Sequence, residues 1–161
     1  MLTEGDPVPD VMLQMGDGGQ LALSQLQRPL VLYFYPKDDT SGCTVEAKDF
    51  SALKAAFEMQ GTYVIGISKN TPQEHAKFTD KHELKVLLAT DADGSVCDAF
   101  GTWIEKSMYG KKYMGIDRAT FLIGPDDRIA RIWRKVSVPG HAEEVLAAAA
   151  AIAAAESNPL A

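Results

Sequence analysis

The sequence predicts an α/β fold: a mixed central sheet with helices on both faces and an N-terminal β-hairpin. Three observations carry this. Leu30-Val31-Leu32-Tyr33-Phe34-Tyr35 is apolar at every position, as in a strand covered on both sides, and a segment of helical spacing follows it. Tyr63-Val64-Ile65-Gly66-Ile67-Ser68 repeats the order, strand and then helix. Finally, Ala119 to Ile123 and Ile129 to Trp133 flank the turn Gly124-Pro125-Asp126-Asp127, a hairpin that precedes a last helix.

Taken in order, Gly5 to Asp10 holds two prolines and reads as an extended lead-in. Val11 to Met15 and Gln20 to Leu23 make a hairpin about Asp17-Gly18-Gly19, residues that tolerate positive φ. Ser24 is placed to cap one helical turn through Leu26, and Pro29 marks the entry to the first central strand. From Thr44 the period changes. Ala47, Phe50, Leu53 and Phe57 form an apolar stripe at helical spacing, and Gly61 supplies the stop. Pro72 suits the first position of a helix running roughly from Gln73 to His82. Val86 to Ala89 reads as a third short strand, followed by a short helix carrying Val96, Cys97 and Phe100. Glu105 to Asp117 shows no period and is expected to be a loop packed near the active-site end. Ala147 to Ala155 is alanine-rich and favours a final helix, ended at Asn158-Pro159 with a frayed tail. With no internal repeat and no linker, residues 1–161 are expected to be one domain.

The chain of 161 residues is 46% hydrophobic and 24% charged, ordinary for a globular protein, with a formal net charge of −6. That balance argues against a nucleic-acid partner, whose phosphates call for basic patches. No apolar stretch approaches the roughly 20 residues needed to span a bilayer. The first residues lack the basic start and apolar run of a signal peptide, so no membrane association and a cytoplasmic location are expected. In a reducing compartment the two cysteines, Cys43 and Cys97, are expected to be free thiols. There is no Cys-x-x-Cys and no Cys/His cluster at zinc spacing, and neither a metal nor another cofactor is expected.

The chemistry centres on the stretch from Tyr33 to Glu46. The apolar strand stops at Pro36, a short polar turn follows, and Cys43 falls in the first turn of the next helix. The first N–H groups of a helix lack partners within it and carry partial positive charge, which favours a thiolate beside them. A cysteine there is a nucleophile; elsewhere it would be a small buried hydrophobe. Lys37, Asp38 and Asp39 read as a solvated turn. His75, His82 and His141 share no motif, and each is expected at the surface.

Pro36-x-x-x-Thr40-x-x-Cys43 resembles the active-site motif of the peroxiredoxins, and Tyr33 to Glu46 resembles their bacterioferritin comigratory protein, or peroxiredoxin Q, branch. The similarity runs from Gly5 to about Gly140; Ser41 stands where that branch usually has proline. The resemblance implies a thioredoxin-like sandwich and a thiol-dependent peroxidase. Cys43 would be the peroxidatic residue, oxidised by hydrogen peroxide or an organic hydroperoxide to a sulfenic acid. Thr40 would contact the peroxide, unless it is only a turn or cap threonine. Pro36 would wall the pocket and also end the strand. Arg118, before Ala119-Thr120-Phe121-Leu122-Ile123, would supply the cation, although residue type alone ranks it no higher than Arg128, Arg131 or Arg134. Glu46 would orient Arg118, or merely favour the helix dipole.

Many family members resolve the sulfenic acid with a second cysteine five residues downstream, where this chain has Lys48, or on the next helix, which here has none. Cys97 is the other cysteine, and its apolar neighbours mark a buried, inert position. A one-cysteine cycle is therefore favoured, with thioredoxin, glutaredoxin or a small thiol as reductant and Cys97 as the disfavoured resolving residue. A monomer is favoured over a dimer. The competing reading from another class is a peroxide sensor or holdase oxidised stoichiometrically at Cys43, which turnover distinguishes from an enzyme. A dithiol oxidoreductase lacks its second cysteine near Cys43, and a cysteine phosphatase lacks the loop to hold phosphate.

Overall fold

The computed structural model describes residues 1–16 and 18–156. Asp17 of the first turn and the expected helix end at Asn158-Pro159 lie outside the described residues. The strands are β1 (Met12–Gln14), β2 (Gln20–Ala22), β3 (Leu30–Phe34), β4 (Tyr63–Ser68), β5 (Leu87–Thr90), β6 (Trp103–Met108), β7 (Lys111–Ile116), β8 (Ala119–Ile123) and β9 (Ile129–Trp133). The helices are α1 (Ser41–Ala52), α2 (Lys54–Met59), α3 (Pro72–His82), α4 (Ser95–Phe100) and α5 (His141–Glu156).

Among the described residues, seven strands form one mixed sheet in the order β2-β1-β5-β4-β3-β8-β9. β3, β4 and β5 run parallel, while β8 pairs antiparallel with β3 and β9 with β8. All five residues of β3 are buried, which is why its sequence is apolar throughout. Its side chains alternate. Leu30, Leu32 and Phe34 enter one core layer with Val96, Cys97 and Phe100 of α4. Val31 and Tyr33 enter the other, with Cys43, Ala47 and Phe50 of α1, Phe57 of α2, Phe78 of α3 and Val145 of α5. Helices thus cover both faces, unequally.

Four expectations about elements change. The single helix over 44–61 is two, because Leu53 departs from helical geometry at φ −97°, ψ 5°. The apolar stripe runs unbroken through that joint, so spacing could not show it. Ser24 does not cap its turn: it lies inside the 3-10 turn Leu23–Gln25, which starts from Ala22 without a side-chain cap. Residues 105–117 are not a loop but most of the hairpin β6–β7, a separate two-stranded sheet. Tyr109 and Gly110 turn it with φ 52° and 79°, the positive values that a tight two-residue hairpin turn requires. Its strands are largely solvated on both faces, so no alternation of polar and apolar residues betrayed them. Finally, the turn after β3 is only partly solvated: Lys37 and Asp39 are exposed, but Asp38 is buried.

Candidate active site

β3 delivers the chain to the site. Tyr35 extends it by donating its N–H to Ile67 O, Pro36 to Asp39 turn, and Thr40 begins α1. Cys43 is the third residue of that helix, 1% exposed, with its sulfur beside the first turn. The cation comes from across the sheet. Phe34 pairs with Ala119 in the antiparallel register, so Arg118 stands opposite the end of β3 where the turn departs. Arg118 Nη2 donates to Cys43 Sγ at 3.2 Å, and Nη1 donates to Glu46 Oε1 at 2.7 Å. Glu46 lies three residues beyond Cys43, just under one helical turn, so both face Arg118 from one side of α1.

The electrostatics follow from burial. Desolvation pushes the Glu46 carboxyl up to about 7, against the pull of Arg118. Burial opposes the charge of Arg118, but Glu46 and Cys43 more than offset it and hold the guanidinium protonated. Arg118 therefore presents a fixed positive charge to the sulfur in a low-dielectric setting. Among the described residues, Glu46 Oε2 is buried without a hydrogen-bond partner, as is Tyr33 Oη.

Of the other expected residues, Thr40 is exposed at the N-cap of α1 but makes no side-chain cap; its hydroxyl donates to Lys37 O at 2.8 Å. Its lone pairs are left to accept. Pro36 is exposed at the start of the turn. The rival arginines lie elsewhere: Arg128 donates to Gly5 O, Arg131 packs over Trp133, and Arg134 donates to Gly101 O. Cys97 belongs to the core layer on the opposite face of the sheet from Cys43, and burial pushes its thiol up to about 12. The histidines are not surface groups: His75 and His141 are 3% and 4% exposed and His82 is half-buried. His75 and Phe78 are three residues apart, a spacing that marks one helix face and predicts its burial.

Gly42 was not singled out from the sequence. A β-carbon there would meet Arg118 Nη2 at 3.2 Å, so its bareness lets the guanidinium close on Cys43. A glycine within the first turn of a helix, where it is disfavoured, was the available signal. Among the described residues, no group of three or more His, Cys, Asp and Glu side chains is placed to hold a metal ion.

A cysteine sulfur at a helix start, a guanidinium on that sulfur, and a mixed sheet with helices on both faces define a protein of the thioredoxin-like class. The AhpC/TSA family matches residues 4–132, and the chain belongs to it. Its relatives include proteins named peroxiredoxin Bcp. That of Xanthomonas campestris is 43% identical over 140 residues, 86% of this chain and 88% of its own length. That of Bacillus subtilis is 42% identical over 143 residues, 88% of this chain and 91% of its own. A solved structure of the Xanthomonas campestris bacterioferritin comigratory protein superposes with a TM-score of 0.86 at 40% identity, covering 94% of this chain and 99% of that one. That work concerned its alkyl peroxide reduction activity, through trapped intermediate and ligand complexes.

Proposed function

We propose that this chain is a thiol-dependent peroxidase whose Cys43 thiolate reduces hydrogen peroxide and organic hydroperoxides. The observation that carries the assignment of residues is Arg118 bridging Cys43 and Glu46. The sulfur attacks the terminal oxygen of R–O–O–H, the O–O bond breaks, and Cys43 becomes a sulfenic acid. The departing RO⁻ develops its charge beside Arg118, whose donors stabilise it, and takes a proton from water to leave as an alcohol. Thr40, its own hydrogen engaged by Lys37 O, accepts the peroxide O–H and orients it. Pro36 fixes the turn from which Thr40 and Cys43 emerge.

The cycle uses one cysteine. Cys43 and Cys97 pack on opposite faces of the sheet, and a disulfide needs Cα atoms within about 7 Å. An external thiol, such as thioredoxin, glutaredoxin or a small molecule, therefore attacks the sulfenic acid, releasing water and forming a mixed disulfide. A second thiol then frees Cys43. Both cysteines are free, which suits a reducing compartment such as the cytoplasm, and no helix among the described residues is long and apolar enough to cross a membrane.

Intact-protein mass spectrometry after one equivalent of hydrogen peroxide without reductant, with a sulfenic-acid trap in parallel, tests this. A trapped adduct on Cys43 with Cys97 untouched is expected. Loss of two hydrogens without adduct would replace the one-cysteine cycle by a two-cysteine one, and an unmodified mass would overturn the assignment of Cys43.

A further inference from the structure

The turn carrying the site is fastened from beneath by groups that the peroxide chemistry does not use. Asp38, in the middle of the turn, and His75, on α3, have side chains only 5% and 4% exposed. His75 Nδ1 lies 2.7 Å from Asp38 Oδ2, and its Nε2 lies 3.1 Å from Ala89 O. A carbonyl only accepts, so Nε2 carries a hydrogen. Tyr35 completes the set by donating its hydroxyl to Asp38 Oδ1. The backbone N–H of Asp38 donates to Asn70 Oδ1 at 2.9 Å. Next to it, Asp39, which adopts φ 62°, accepts from Lys81 at 2.7 Å and pairs with His82 at 2.8 Å.

Asp38 and Asp39 thus tie the turn to α3 and to the segment just before it. Burying an acid and an imidazole is unfavourable unless each is partnered, and only a turn conformation that keeps these contacts partners both. The conformation selected here sets the start of α1, and with it the 3.2 Å contact of Cys43 with Arg118. We propose that His75, acting through Asp38, is a positioning residue for the peroxide step: it holds the turn so that Cys43 and Arg118 meet. This rests on Cys43 being the reacting thiol.

The test compares two rates in the full-length protein, without reductant, at a temperature where circular dichroism shows each variant folded. One is oxidation of Cys43 by hydrogen peroxide, which needs Arg118 in place. The other is alkylation of Cys43 by iodoacetamide, which needs only the thiolate; both rates are read at about pH 10, above the ordinary thiol value of roughly 8.5, so that the sulfur is ionised with or without Arg118 beside it. His75→Leu is expected to slow oxidation roughly 10- to 100-fold while alkylation is unchanged or faster, as a misplaced reacting group loses orientation. His75→Gln, which keeps a donor toward Asp38, is expected to recover part of the loss. Should His75→Leu fail to fold, Asn70→Ala releases the same turn from outside the buried pair and is expected to split the rates in the same sense. A ratio of the two rates equal to wild type in the folded variants overturns the proposal, whether both rates fall together or neither moves. Wild-type protein that reacts with peroxide elsewhere than Cys43 overturns the reading of the site as well.

Discussion

At the scale of single residues, Glu46 and Gly42 show how the protein tunes Arg118. The folded Glu46 carboxyl is pushed up to about 7 by burial, above its ordinary 4.5. Between those values the folded chain binds more protons than the unfolded one, so stability falls as pH rises through 7. Glu46→Gln mimics the protonated form and removes that dependence. Relative to wild type it is expected to gain up to about 3 kcal/mol between pH 5 and pH 8, read from urea unfolding at each pH. Gly42→Ala tests the other side of the guanidinium. Its methyl would crowd Nη2, so oxidation of Cys43 by peroxide is expected to slow roughly ten-fold, while the urea midpoint holds or rises because alanine suits a helix better. A fall in stability with unchanged oxidation would contradict this account. Sequence pointed to Cys43, Arg118 and Glu46 through resemblance to a family. It could not show the burial of Asp38 and His75, because a short polar turn looks solvated until the helix that covers it is in place.

At the scale of elements, the site depends on how closely α1 lies on the sheet. Tyr33 of β3 stacks on Phe50 of α1 at 4.7 Å between ring centroids. The ring has room because β4 offers Gly66 beside it. A β-carbon at 66 would fall 2.5 Å from Tyr33 Cζ and 2.9 Å from Leu88 Cδ2. Gly66→Ala is therefore expected to destabilise the protein by about 1–3 kcal/mol, as overpacking does, measured by chemical denaturation. Peroxide reactivity is expected to fall with it as Tyr33 pushes α1 outward. β3, β4 and the β8–β9 hairpin were legible because burial leaves a continuous apolar run or a clear turn. β6–β7 was not, since hairpin strands with two wet faces carry no periodic signal.

At the scale of the whole molecule, the sheet separates the two thiols. Cys97 lies on the α4 side, 0% exposed, with Asp91 accepting its backbone N–H, while Cys43 lies on the α1 side. With burial pushing the Cys97 thiol up to about 12, native protein is expected to leave it unlabelled by iodoacetamide at pH 7. Cys97→Ser is expected to sustain peroxide turnover with an external thiol at the wild-type rate. Turnover abolished in a folded Cys97→Ser protein would reinstate Cys97 as the resolving thiol.

The sequence by itself determined β3, β4, the β8–β9 hairpin and the place of Cys43 in the first turn of a helix, because apolar period and turn residues are local properties. Only the tertiary structure brought Arg118 against that sulfur, set the two cysteines facing apart, and buried together an acid and a histidine far apart in the chain. Those outcomes depend on strand register and on which face of the sheet each helix covers, and both are set by packing between segments distant in sequence.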